Sequence, residues 1–378
     1  MGATVVPSSF ADAAQALALA AQSNQPVRIT GGGTKLHWGA RGAAESLVLH
    51  TTGLDATLEH NPGDLMAIFQ AGVPLDRLGA ELAEHGQMLA IDPPPLPAGS
   101  TIGGVFATGD SGPLRHRYGQ PRDLILGVTV ALSDGTIAKA GGKVIKNVAG
   151  YDLAKLFTGS FGTLGLIMSL SVRLHSLPVA TATAFGASDD AGRLRDGAVR
   201  LARAPLELDA LDVAWHGGRG RLLARVGGRE AVRRAGRGEQ LMREAGLDEV
   251  GVSDDDAELW ARQRAGQRSA GQAILHVAAR PTQLPELIAA ADRAAATLVG
   301  RAALGISYLE VEPERIDELR HRLPAGSVST VLDLPEAHRD RISPSEEPPA
   351  PLAELMRSVK HRFDPAGICN PGVFVAGI

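Results

Sequence analysis

At 378 residues the chain exceeds what one hydrophobic core usually supports, so two domains are predicted. Its 38 basic and 42 acidic residues are spread along the chain and leave a net charge of −4, which argues against nucleic acid or an anionic membrane surface as the main partner. The single cysteine, Cys369, excludes an internal disulfide framework and offers too few thiolates for an iron–sulfur cluster.

Ser8 or Ser9 is placed to cap a helix over residues 11–22, and the Asp12 and Gln15 within it are unlike the apolar run of a leader. With no apolar stretch approaching about 18 residues, a cytosolic protein is expected, any membrane contact being peripheral. Residues 27–30 read as a strand that runs straight into three glycines. Short strands follow over 46–50 and 66–71, with a Pro-Gly turn before the second, and Pro74 opens a helix that stops before Gly86. Residues 92–119 form an irregular run of Pro, Gly, Ser and Thr, too long for an idle connection. Strands over 124–132 and 136–140 flank Ser133-Asp134-Gly135, a hairpin signal, and a further hairpin-like strand spans 164–174.

After Pro178 strands near 181–185, 211–215, 221–226, 272–278 and 306–311 alternate with amphipathic helices near 189–203, 229–245 and 284–297. This pattern predicts an α+β domain, an antiparallel sheet covered by helices on one face. The expected division is a first domain over 1–178, a second over 179–342, and a linker with C-terminal segment over 343–378 that packs back on the first. Arg229 to Arg243 reads as a solvated face, Trp215 and Trp260 as core or seam residues, and Cys369 as a small apolar filler.

Three motifs carry chemistry. The first is Ile29-Thr30-Gly31-Gly32-Gly33-Thr34-Lys35, which is compatible with a plain tight turn or with a nest of N–H groups for a pyrophosphate. No Gly-x-Gly-x-x-Gly helix entry or Gly-Lys-Ser/Thr ending accompanies it, so neither a Rossmann site nor a P-loop is expected. In the second, Ser100 and Thr101 hydroxyls and Gly103 and Gly104 amides are expected to open a helix whose positive end faces phosphates. Gly99, Ile102, Ala107 and Gly109 belong to the same small-residue run, against which a flat ring system can lie. The third is the string KNVAGYDLAKLFTGSFGTLGLI over residues 146–167.

These motifs together resemble the FAD-binding domain of the vanillyl-alcohol-oxidase and para-cresol-methylhydroxylase superfamily, and the third string resembles the 2-hydroxy-acid dehydrogenases. The resemblance covers residues 27–174 and a closing motif over 363–372. It implies a two-lobed FAD-binding domain in which Gly31, Gly32, Gly33, Thr34 and Lys35 cradle the pyrophosphate. Gly99, Ser100, Thr101, Ile102, Gly103, Gly104, Ala107 and Gly109 would line pyrophosphate and isoalloxazine, and Gly162, Gly165 and Ile167 the adenine side. Lys146 or Asn147 is either a group at the flavin pyrimidine edge or a solvated surface residue; Gly150, Tyr151 and Asn370 complete the implied cofactor set. Phe161 departs from the pattern, standing where relatives often carry a carboxylate. Thr34 stands where an attachment histidine would be expected and the second loop has no cysteine, so FAD is expected to be noncovalent, with His37 the nearest histidine.

Oxidation of a 2-hydroxy acid needs a base and a group for the carboxylate. His216, His276, His321 and His338 are isolated in sequence and read as core or surface residues, so no metal site is expected and the catalytic residues stay unassigned. A strong FAD domain beside a weak substrate domain resembles the FAD-binding subunits of bacterial glycolate oxidase. That resemblance implies a catalytic flavoprotein subunit and an iron–sulfur subunit as partners, glycolate as the small 2-hydroxy-acid substrate, and a non-NAD electron acceptor. Two alternatives stand beside it: a non-redox scaffold stabilised by FAD, and a stand-alone dehydrogenase drawing on Tyr118, Tyr151 or Arg115 for substrate.

Overall fold

The structure, a computed structural model, describes residues 3–44, 46–94, 99–143 and 152–378. The helix Phe10–Gln22 begins where the Ser9 side chain accepts the Asp12 N–H at 3.1 Å, and it buries Ala13, Leu17 and Ala20 at helical spacing. That stripe packs on a small parallel sheet in the order Thr4–Val5, Leu47–His50, Val27–Thr30. A five-stranded antiparallel sheet follows: Thr57–Asn61, Met66–Gln70, Leu166–Arg173, Ile125–Ala131 and Ile137–Gly141. Ile125–Ala131 and Ile137–Gly141 form the hairpin that Ser133-Asp134-Gly135 signals. Leu166–Arg173 is no hairpin arm; it sits at the centre of the sheet, between Met66–Gln70 and Ile125–Ala131. Its Leu166 and Met168 face the first helix, while Ile167 and Leu170 join Phe69, Phe106 and Phe157 in the core on the other side. Burial on both faces explains its nearly unbroken apolar run.

The second lobe is one eight-stranded sheet, wholly antiparallel, in the order Asp248–Ser253, Thr181–Ser188, Arg219–Gly227, Ala210–His216, Thr297–Arg301, Ile306–Val311, Ala273–Ala278, Val328–Val331. Helices Ala191–Arg203, Ala231–Glu244, Leu284–Arg293 and Ile316–Arg322 cover one face through Leu194, Leu201, Met242, Leu287 and Leu319. The last turn of the expected helix over 284–297 is missing: Ala295 has φ +49 and the chain turns directly into the strand Thr297–Arg301. Helix Ala257–Ala265 packs its Trp260 with Ala210 and Leu223 on the opposite face, so the covering is not confined to one side.

Two-residue alternation decides what that opposite face shows. Leu211, Val213, Leu275, Val277 and Leu309 point into the helix-covered core. Their neighbours Asp212, His276 and Tyr308 therefore point the other way, toward the first lobe. Across the ladder Thr330, His276 and Tyr308 are direct partners and form one row.

The chain then returns. Helix Ala350–Phe363 places Phe363 edge-on to Phe157 at 5.5 Å, and the tail pairs with the strand Val27–Thr30 through Val27 N–H to Ile368 O (2.8 Å) and Asn370 N–H to Val27 O (2.9 Å). Lys360 locks the turn by donating to Asp364, Thr163 O and Cys369 O at 2.6 to 2.8 Å. Cys369 is fully buried beside Val27, and burial pushes its thiol pKa up, which agrees with its reading as filler.

Candidate functional site

The first two glycine motifs meet at the floor of one cleft, which Phe161, Gly162 and Ile167 close from the far side. A Cβ on Gly32 would sit 1.4 Å from the Gly99 carbonyl oxygen, and one on Gly31 would sit 2.2 Å from Thr101 Oγ1. Only glycine allows this crossing. Thr34 Oγ1 and Ser100 Oγ, 3.2 Å apart, tie the loops a second time. Gly33 takes φ +74, and among the described residues the N–H groups of Gly31 to Lys35 have no hydrogen-bond acceptor. A run of open N–H groups along a cleft fits a phosphate oxygen, and Thr51 Oγ1, buried in the same wall, likewise has no described partner.

The second loop differs from its sequence reading. Thr101 does cap the helix Ile102–Thr108, accepting the Gly104 N–H at 3.3 Å. The Ile102 and Gly103 N–H groups, however, both donate at 2.9 Å to the backbone, to Val73 O and Ala71 O. The helix entrance is thus spent on the turn that follows the strand Met66–Gln70 and carries no free positive end. Ile102 is fully buried in the core, and Gly99 and Ser100 support the first loop from behind, whereas Thr101, Gly103, Gly104 and Ala107 line the cleft. Gly109 lies farther along, in the seam between lobes. Lys35 is also committed: its ammonium lies 3.1 Å from Asp110, with the side chains 7% and 3% exposed. It joins the two loops and does not point a free charge at a phosphate.

Gly162, Gly165 and Ile167 line the opposite wall with Phe161. Phe161 adopts φ +54 and gives its N–H to Ala107 O at 2.8 Å. Asn370 reaches this wall from the far end of the chain: Oδ1 accepts the Ile29 N–H at 2.7 Å and Nδ2 donates to Phe161 O at 2.6 Å. It spans the cleft from one wall to the other. Asn370→Ala leaves both backbone groups without a partner, and unfolding in urea is expected to show a loss of about 1–3 kcal/mol. Unchanged stability would show that the tail does not brace the cleft. Lys146, Asn147, Gly150 and Tyr151 lie outside the described residues.

Where the cleft leaves the glycine loops it opens into the seam, and Trp38, Thr108, Phe161 and Val373 line both spaces. The second lobe is held there by Asp333, which accepts from Arg268 Nε (2.8 Å), Ser269 N–H (2.9 Å) and Trp38 Nε1 (3.0 Å) and lies 2.7 Å from His37 Nε2. Burial alone would raise the Asp333 pKa, but these bonds, those of His37 and Arg268 foremost, hold it at about 2. His37, the nearest candidate for flavin attachment, is thereby directed at the second lobe. A second tie is Gln267 Nε2 to Ser111 O at 3.2 Å, and Gln267 also meets Arg301. Arg301 is itself bonded to Asp212 at 2.6 Å, with side chains 1% and 0% exposed.

Of the four second-lobe histidines, His276 faces the seam, in contact with the Tyr308 ring at 5.1 Å. The sequence reading of it as core or surface missed this, since only strand parity gives the direction. His216 is exposed at a strand end, His321 bonds Asp317 O at 2.6 Å, and His338 lies 3.5 Å from Glu314.

Residues 1–141 match the family described as FAD binding domain. Those residues thus carry an FAD-binding domain, and FAD is the cofactor. The chain is 38% identical over 170 residues to a D-lactate dehydrogenase of Archaeoglobus fulgidus, covering 45% of this chain and 38% of that protein. It is also 38% identical over 124 residues to glycolate oxidase subunit GlcE of Escherichia coli, covering 33% and 35%. In both the chain spans well under half of the relative's length. An FAD-linked oxidoreductase of Mycobacterium tuberculosis is 28% identical with 97% of this chain and 89% of the relative covered. Among solved structures, alkyldihydroxyacetonephosphate synthase superposes with a TM-score of 0.72 at 15% identity, over 97% of this chain and 75% of that one, and shares the fold.

Proposed function

We propose that the chain is the FAD-binding subunit of a glycolate-oxidase-type complex, which oxidises a 2-hydroxy acid, glycolate to glyoxylate, and passes electrons to an acceptor other than NAD. The supporting observation is the crossing of two glycine loops beneath a cleft with open N–H groups, in a chain similar over 124 residues to a glycolate oxidase subunit. Gly31 to Lys35 hold the pyrophosphate, Gly103, Gly104 and Ala107 lie under the ring system, and Gly162, Gly165 and Ile167 border the adenine side. FAD is held noncovalently and supplies the two-electron acceptor. The partners are a catalytic flavoprotein subunit and an iron–sulfur subunit. Among the described residues no helix is long and apolar enough to cross a membrane, so membrane contact on this reading comes through those partners.

A stand-alone 2-hydroxy-acid dehydrogenase is the second reading, favoured by the polar groups the second lobe turns toward the seam. The purified chain is expected to show flavin absorbance that passes into the supernatant on acid precipitation. Bleaching by glycolate only after the partner subunits are added supports the subunit reading, bleaching by the chain alone supports the second, and a chain that stays colourless with added FAD defeats both.

A further inference from the structure

The seam cleft, with a cavity volume of about 380 Å³, is distinct in chemistry from the glycine-lined end. Its second-lobe wall is the row Thr330, His276 and Tyr308; its first-lobe wall carries Arg115, on the short helix Arg115–Tyr118. The other cations nearby are paired, Lys35 with Asp110 and Arg301 with Asp212. Asp123, whose charge reaches Arg115, is engaged by the Gln120 N–H at 3.0 Å. Asp92 accepts the Leu114 N–H at 3.0 Å, and burial raises its pKa to about 7, so it is only partly ionised near neutrality. Arg115 has no carboxylate within ion-pair distance among the described residues. It is partly buried, and its charge reaches both His276 and Tyr308. Burial first, then Arg115 and Arg301, lower the His276 pKa to about 4, and burial raises that of Tyr308, so both rings are neutral near pH 7. Among the described residues the cleft therefore holds one uncompensated cation beside two neutral hydrogen-bonding groups, a setting that favours a bound anion.

We propose that this seam is an anion subsite of the chain itself, in which Arg115 holds the carboxylate of a small 2-hydroxy or 2-oxo acid and Tyr308 and His276 bond its remaining oxygens. The identity of the acid rests on the function proposed above; the anion subsite rests on the seam alone.

The test is calorimetric titration of the FAD-loaded chain with oxalate, a dicarboxylate with no carbinol hydrogen to lose. Wild type is expected to bind one equivalent, Arg115→Ala to bind at least about tenfold more weakly, and Arg115→Lys to recover part of the loss. Inorganic phosphate at equal concentration is expected to leave oxalate bound. The proposal is overturned by absence of oxalate binding in wild type, by wild-type affinity in Arg115→Ala, or by phosphate displacing oxalate one for one. Should Arg115→Ala lose its FAD or its thermal transition, Arg115→Met and Tyr308→Phe take its place under the same criteria. If wild type holds no FAD, the function proposed above fails, and the same titration of the apo chain still decides the subsite. Oxalate binding through Arg115 without bleaching by glycolate, even with partners present, keeps the subsite and removes the glycolate assignment.

Discussion

Gly32→Ala is expected to abolish FAD retention while Gly79→Ala leaves it intact. At Gly32 the new Cβ has nowhere to go, since the Gly99 carbonyl oxygen, a backbone atom, lies 1.4 Å from its ideal position. The two loops must separate, at a cost on the order of 3 kcal/mol, and the separation falls on the cradle of open N–H groups. That corresponds to a loss of about a hundredfold in FAD affinity, read as visible absorbance after gel filtration. Gly79 lies in the helix Leu75–Ala83 with nothing within 4 Å of an added Cβ, so alanine there raises helix stability by about 0.5–1 kcal/mol and touches no cofactor wall. A Gly32→Ala chain as yellow as wild type would remove the first loop from the binding site. Gly103 is a less clean probe than its place in the motif implies: its Cβ would meet Ala71 backbone at 2.7 Å, so substitution strains the core as well as the cleft.

Asp333→Ala is expected to lower the unfolding free energy by about 3–5 kcal/mol, because it strands the Arg268 guanidinium, 14% exposed, with its counter-ion gone. The wild-type contribution also has a definite pH dependence. Asp333 has a folded-state pKa of about 2, below the roughly 3.9 of an unfolded aspartate, so the unfolded chain binds the proton more readily. The stabilisation is fully present above about pH 5 and is lost as the pH falls through 4 toward 2. Thermal unfolding across that range is expected to show a fall in wild type that is smaller in Asp333→Ala. Since His37 and Trp38 follow directly on the glycine loop, loosening this tie is also expected to weaken FAD binding. Equal acid sensitivity in the two chains would show that the tie does not hold the lobes together.

The cofactor end of the site was legible because its signal is local. A strand of four residues running into three glycines and a Thr-Ile-Gly-Gly helix start are short-range patterns; the first fits a plain turn as well as a phosphate nest, and the resemblance of the motifs taken together chose between them. Even there the sequence misled at one point: it identifies a helix start but not what the first N–H groups bond, and Ala71 and Val73, in the turn after another strand, claim them. Asn370 was found only as part of a motif; its bracing role depends on partners 341 and 209 positions away.

What the sequence by itself determined is the α+β class and the strand and helix alternation of the second half, which follow from side-chain periodicity, and the glycine loops, whose FAD chemistry is what their resemblance to a known family implies. What only the tertiary structure decided is the far end of the site. His276, Tyr308 and Arg115 meet because an eight-stranded antiparallel sheet fixes which side each residue faces and which lies opposite, and because Asp333 draws that sheet onto His37, 296 positions away. Register and docking are set by the packing of whole surfaces, which no stretch of neighbouring residues encodes.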